Sequence, residues 1–168
     1  MTKKITKILS IFIFIFVLAM QTSCKKKETP TTDEITKYNE ISSINYKDIL
    51  SKNGKYYVFI MGNTCEACEE LESLICEYAN LAKKYPTGYY PIYCLNSDDT
   101  ENNGDIIAKD GDDSYANFQG TKNYEDIKIA TTPGFLVIEN GRVTKLISTK
   151  VTTEPKTEIK SYIERLTK

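Results

Sequence analysis

The residues of this chain best suited to chemistry are two thiols. In FIMGNTCEACEELESLICEY (residues 59–78), Cys65 and Cys68 stand three apart, where an apolar run gives way to a helical pattern. Such a pair admits three chemistries: thiol–disulfide exchange, half of a zinc site, or a structural disulfide. Helical geometry weighs against zinc. At about 1.5 Å of rise per residue, Cys65 and Cys76 lie about 16 Å apart on a continuous helix, and zinc–thiolate bonds of about 2.3 Å cannot gather both. The chain has no His to replace a ligand. A purely structural disulfide is a poor use of the spacing, because stabilisation grows with loop length and this loop is very short. The same closeness makes a good switch, since the second thiol can attack a mixed disulfide formed at the first. A thiolate in the first turn of a helix also faces unsatisfied N–H groups, which lower its pKa. Cys65 is therefore the expected nucleophile, and Cys68, nearer the apolar stripe, the shielded resolving thiol.

The elements around the pair can be read from periodicity. ISSINYKDILSKNG, from Ile41, predicts a short amphipathic helix closed by Asn53 and Gly54. KYYVFIM, residues 55–61, is an unbroken apolar run, as expected of a strand buried on both faces. Leu71, Leu74, Ile75, Tyr78, Ala82 and Tyr85 recur at spacings of three and four and predict one long helix, with Thr64 as its cap and Pro86 and Gly88 ending it. YYPIYCLN, residues 89–96, reads as a second strand, at an edge or starting near Pro91, which has no N–H to donate. GFLVIENGRVTKLIS, residues 134–148, predicts a hairpin turning at Asn140 and Gly141. SYANFQG reads as a short helix, and a last helix runs from about Thr153 to Leu166, with Thr153 as its cap and Pro155 in its first turn. Such an order predicts a mixed α/β layered domain.

Thr132 and Pro133 stand directly before the hairpin. Strand, Cys-x-x-Cys at a helix start, strand, then Thr-Pro leading into a hairpin and a final helix: this arrangement resembles the thioredoxin superfamily over roughly residues 41 to 167. The nearer resemblance is to exported thioredoxin-like lipoproteins and the bacteriocin-transport accessory type. The resemblance implies a central mixed sheet flanked by helices, with a C-terminal hairpin and helix. It implies that Cys65 attacks a substrate disulfide and Cys68 resolves it, that Thr132 offers its backbone to the substrate as an added strand, and that Pro133 is cis, shapes the groove and denies metal access to the thiols. The implied activity is thiol–disulfide exchange with protein substrates, without a bound cofactor or metal and as a monomer. A non-catalytic binding or accessory module of the same fold is the alternative. The sequence departs from the family in four places. Glu66 and Ala67 stand between the cysteines, and Thr64 replaces the usual preceding aromatic residue. Phe59 stands where the family has a buried carboxylate, and Cys94 where it has that group's lysine partner.

The N-terminus carries Lys3, Lys4 and Lys7, then an apolar run over residues 8–20, short for a membrane span and the right size for an export signal. Ser23 and Cys24 follow, and QTSCKKKETPTTDE resembles a bacterial lipoprotein signal in which Cys24 is lipidated, although Gln21 stands where the family has Leu. An uncleaved anchor at residues 8–20 is the rival, and a released protein the third reading. The expected organisation is a targeting segment over 1–23, a polar tether over 24–40 and the folded domain over 41–168, outside the cytoplasm, where disulfides persist. A formal charge of −1 offers no field for nucleic acid. Cys94 reads as a buried apolar residue. Cys76, on the far side of its helix from the apolar stripe, reads as a peripheral thiol, so no Cys76–Cys94 disulfide is expected. DTENNGDIIAKD, residues 99–110, partly matches a calcium-loop pattern, but its flanks and its final Asp110 argue for a solvated loop, which could also line the rim of the site.

Overall fold

The structure, a computed structural model, describes residues 34–102, 106–108, 118–148 and 152–168. Cys24, the targeting segment, most of SYANFQG and part of the 99–110 loop lie outside the described residues. Four strands form one sheet in the order β2-β1-β3-β4: β1 Lys55–Met61, β2 Ile92–Asn96, β3 Gly134–Glu139 and β4 Arg142–Ile147. β1 pairs parallel with β2 and antiparallel with β3, and β3 pairs antiparallel with β4. The helices are α1 Glu66–Glu69, α2 Glu72–Lys84 and α3 Pro155–Leu166.

β1 is central, and its apolar run is explained by two cores, one on each face of the sheet. Tyr57 and Phe59 point into a core shared with α2 and α3 through Leu71, Ile75, Tyr78, Ile159 and Ile163. Tyr56, Val58 and Ile60 point into the other, closed by Ile49, Phe118, Ile127 and Ile129. β3 and β4 meet at a tight turn where Asn140 and Gly141 have φ of 53° and 70°, the left-handed conformations such a hairpin turn requires. β2 begins just after Pro91, whose carbonyl accepts from Tyr57 N–H at 2.9 Å.

The segment from Ile41 is not an amphipathic helix. Residues 41–44 run extended along the outer side of β2: Ile44 N–H donates to the Cys94 carbonyl and Cys94 N–H to the Ser42 carbonyl, at 3.0 and 3.1 Å. Ile41 and Ile44 fall in opposite cores, which the alternation of a strand permits and one apolar helix face does not. Only Tyr46–Asp48 forms a 3₁₀ turn. The final helix starts at Pro155 with Glu154, not Thr153, as its cap.

The fold also begins earlier than the tether boundary suggested. Glu34 opens the described domain. The Asn80 amide clamps Ile35 from both sides, accepting from its N–H at 2.9 Å and donating to its carbonyl at 2.8 Å. Tyr38 is 8% exposed. Residues 34–40 are therefore a strap packed on α2. Their apolar residues Ile35, Tyr38 and Ile41 recur every third position, a signal masked by the polar residues between them.

Candidate active site at the Cys65–Cys68 disulfide

β1 delivers the chain to a turn at residues 62–65. Cys65 caps α1 in extended backbone (φ −92°, ψ 93°), so the cap is the cysteine and not Thr64. Its Sγ accepts from Cys68 N–H at 3.2 Å, and its carbonyl from Cys68 and Glu69 N–H at 2.9 and 3.1 Å. This geometry carries the two sulfurs together, and Cys65 and Cys68 are joined in a disulfide with Cα atoms 5.2 Å apart. Cys65 is half-buried, whereas Cys68 is 1% exposed.

The turn is held from below by the end of β2. Asp98 Oδ2 accepts from Asn63 N–H at 2.6 Å, and Asn96 Nδ2 donates to Asn63 Oδ1 at 2.8 Å. The buried Asn102 amide links the Asn96 carbonyl to Tyr46 N–H, so the whole corner is tied to the body of the domain. Thr132 is half-buried and Pro133 buried, and the bond between them is cis. Gly62 brings Thr132 beside the turn: a Cβ at position 62 would lie 3.2 Å from Asp98 Oδ2 and 3.3 Å from Thr132 Oγ1. A Cβ there would require the Asp98 and Thr132 side chains to give by a few tenths of an ångström.

A cleft of about 380 Å³ opens at the disulfide, with Lys37 and Tyr38 of the strap on one side and Gly62 and Asn63 on the other. Glu72 organises the strap side. It accepts from Tyr38 N–H at 3.1 Å and from Lys37 Nζ at 2.9 Å. Burial opposes ionisation of Glu72, but these two hydrogen bonds prevail and hold its carboxyl below the ordinary range. Behind the pair, Phe59 is fully buried and lies in register with Cys94 on β2 and Phe135 on β3. No carboxylate or lysine occupies those two positions.

Two expectations for the remaining thiols divide. Cys94 is buried and free, as read from the sequence. Cys76 is not peripheral: it is 3% exposed and shares the core of Cys94. The predicted long helix breaks after Glu69 and resumes at Glu72, and the strap covers the face of α2 opposite the stripe. At the other end of α2, Tyr85 leaves the stripe to become an exposed cap. Burial pushes the Cys76 thiol up to about 11 and the Cys94 thiol up to about 12, with nearby negative charge adding to both. Both folded values lie above the unfolded one, so the neutral thiols favour folding fully below about pH 8.5–9, and that contribution is lost as pH rises through the folded values. Unfolding free energy should therefore fall between about pH 9 and 12, by up to about 1.4 kcal/mol per pH unit for each thiol. Denaturation titrations should show the fall, and Cys94→Ala should flatten part of it. An identical slope in the variant would remove Cys94 as a cause.

No protein-family model and no curated protein matches the chain. Among solved structures it is similar to mitochondrial thioredoxin 3 from Saccharomyces cerevisiae in its oxidized form, at 14% identity over 76% of this chain and 97% of that one, with a TM-score of 0.47. It is similar to thioredoxin f from spinach chloroplast, at 13% identity over 78% and 96%, TM-score 0.42. A third is thioredoxin f2 of Chlamydomonas reinhardtii, at 9% identity over 73% and 95%, TM-score 0.42. Likenesses this distant carry no weight by themselves. The fold is read from the strand order, the parallel β1–β2 pair with its antiparallel hairpin, the helices on the face of Phe59, and the half-open cysteine pair after β1. On that architecture, the described domain has a thioredoxin-like fold with a Cys65–Cys68 disulfide where its central strand turns into a helix.

Proposed function

We propose that this chain is an exported thiol–disulfide oxidoreductase acting on protein thiols and disulfides, held at the membrane through Cys24 or the apolar segment over residues 8–20. The observation that carries the reading is the asymmetry of the pair: Cys65 half-open at a cleft, Cys68 buried behind it, the two within bonding distance. In the reductive direction the Cys65 thiolate attacks one sulfur of a substrate disulfide. A Cys65–substrate bond forms, and the other substrate sulfur leaves as a thiolate. Cys68, having given up its proton, attacks Cys65 Sγ; the mixed disulfide breaks and the second substrate sulfur leaves. Two electrons pass from the Cys65–Cys68 dithiol to the substrate, and two protons complete the substrate thiols. The same steps reversed oxidise a substrate dithiol, and the poise is set by the relative stabilities of the thiolates. On this reading Thr132, whose side chain lies beside Gly62, offers its backbone to an extended substrate segment.

The test is equilibration with glutathione or dithiothreitol, followed by thiol alkylation and mass spectrometry. The Cys65–Cys68 pair should interconvert between disulfide and dithiol. Phe59 and Cys94, standing where the family has a carboxylate and its lysine partner, favour the second reading, a binding module; a pair that stays oxidised under strong reductant in a folded domain would sink the oxidoreductase reading and favour that module. For the membrane, Cys24→Ser should move the protein from the membrane fraction to the soluble or secreted one. Unchanged association would assign the anchor to residues 8–20.

A further inference from the structure

We propose that Tyr38, supplied by the strap and not by the body of the domain, is the positioning residue of the resolving thiol, holding the Cys68 peptide in the register from which Cys68 can attack Cys65. The inference rests on the oxidoreductase reading.

α1 has only four residues. A helix this short lacks the cooperativity that fixes a longer one, so tertiary contacts must set its place. A tight turn at Glu70 and Leu71, both in αR backbone, separates it from α2. Leu71 N–H donates to the Cys68 carbonyl at 3.0 Å, as a tight turn does and a continuing α-helix does not. The Cys68 carbonyl therefore lies at the turn, outside the regular hydrogen-bond ladder of α2.

Tyr38 binds that carbonyl. Its hydroxyl donates to the Cys68 carbonyl at 2.5 Å, in a buried contact between residues far apart in sequence. Its ring stacks on Phe59, with centroids 5.2 Å apart and planes at 28°. Its own N–H is fixed by Glu72. Tyr38 thus spans from α2 across the central strand to the backbone of the resolving cysteine. It stands against Phe59, the residue at the position where the family this chain resembles has a buried carboxylate. Burial raises the phenol pKa far above neutrality, so the hydroxyl stays protonated and serves as a donor, not a base.

Tyr38→Phe keeps the ring and removes the donor. Full-length protein, reduced and mixed with 5,5′-dithiobis(2-nitrobenzoic acid), should release one thionitrobenzoate as Cys65 is attacked and a second as Cys68 displaces the adduct. Mass spectrometry of quenched samples confirms the adduct at Cys65. In Tyr38→Phe the first release should keep its rate, while the second slows several-fold, up to about tenfold, as the loss of one buried hydrogen bond implies. Glu72→Gln, which weakens the hold on the strap and on Tyr38 N–H but leaves the Tyr38 ring and hydroxyl in place, should slow the same phase less. A fall in melting temperature with the second phase unchanged would overturn the proposal and leave Tyr38 a packing residue. Equal slowing of both phases would overturn it as well. Failure of the unsubstituted protein to release any second equivalent would instead overturn the oxidoreductase reading on which the inference stands.

Discussion

Replacing Cys65 by Ser should reduce disulfide exchange to the uncatalysed background, whereas replacing Cys68 by Ser should turn the protein into a trap. The two outcomes differ because the cysteines differ in access. Cys65 Sγ is half-open at the cleft and receives Cys68 N–H, a donor that would stabilise its thiolate. Cys68 is 1% exposed and meets no partner from solution. Without Cys68 the intramolecular displacement is lost, and the mixed disulfide between Cys65 and its partner persists. Alkylation of the reduced protein near neutral pH should follow the same order: Cys65 first, with Cys76 and Cys94 slow because burial keeps them as neutral thiols. The measurement is non-reducing electrophoresis and mass spectrometry of the adducts. Adducts on Cys68 in a Cys65→Ser protein, or faster alkylation at Cys76, would show the nucleophile to be misassigned.

Phe59→Ala should cost about 3–5 kcal/mol of unfolding free energy, in the range found for buried aromatic truncations. Phe59 is fully buried on the central strand, in register with Phe135 and Cys94 and stacked against Tyr38. Neighbours fixed in a sheet ladder cannot collapse far into the space left by the ring, so a cavity term adds to the lost transfer energy. Chemical denaturation measures the loss. A cost below about 1 kcal/mol would mean that the strap and sheet do not enclose Phe59 as described. The Cys65 attack should survive in the folded fraction, because Phe59 supports the strap side of the site and does not touch the Cys65 sulfur through any hydrogen bond.

Much of the site was legible because it lies in local patterns. The apolar run of β1, the Asn-Gly turn, the final helix and the Cys-x-x-Cys spacing are each properties of a few adjacent residues. Local periodicity also marked Cys94 as an inward residue of β2. It misread the segment from Ile41, where Ile41 and Ile44 fit a helix stripe as well as two faces of an extended chain, and only the free edge of β2 decides for the latter. It misread Cys76 for a related reason: the stripe shows which face of α2 meets the sheet, but not that a second segment covers the opposite face. Tyr38 was hidden among polar neighbours, in a stretch whose composition is that of a solvated tether. Its role depends on a hydroxyl meeting the Cys68 carbonyl from 30 residues away. The sequence by itself determined which groups can do chemistry and the strand and turn that present them. The tertiary structure decided what stands behind them, because burial and long-range hydrogen bonds depend on which segments the folded chain brings into contact, and no local pattern encodes that choice.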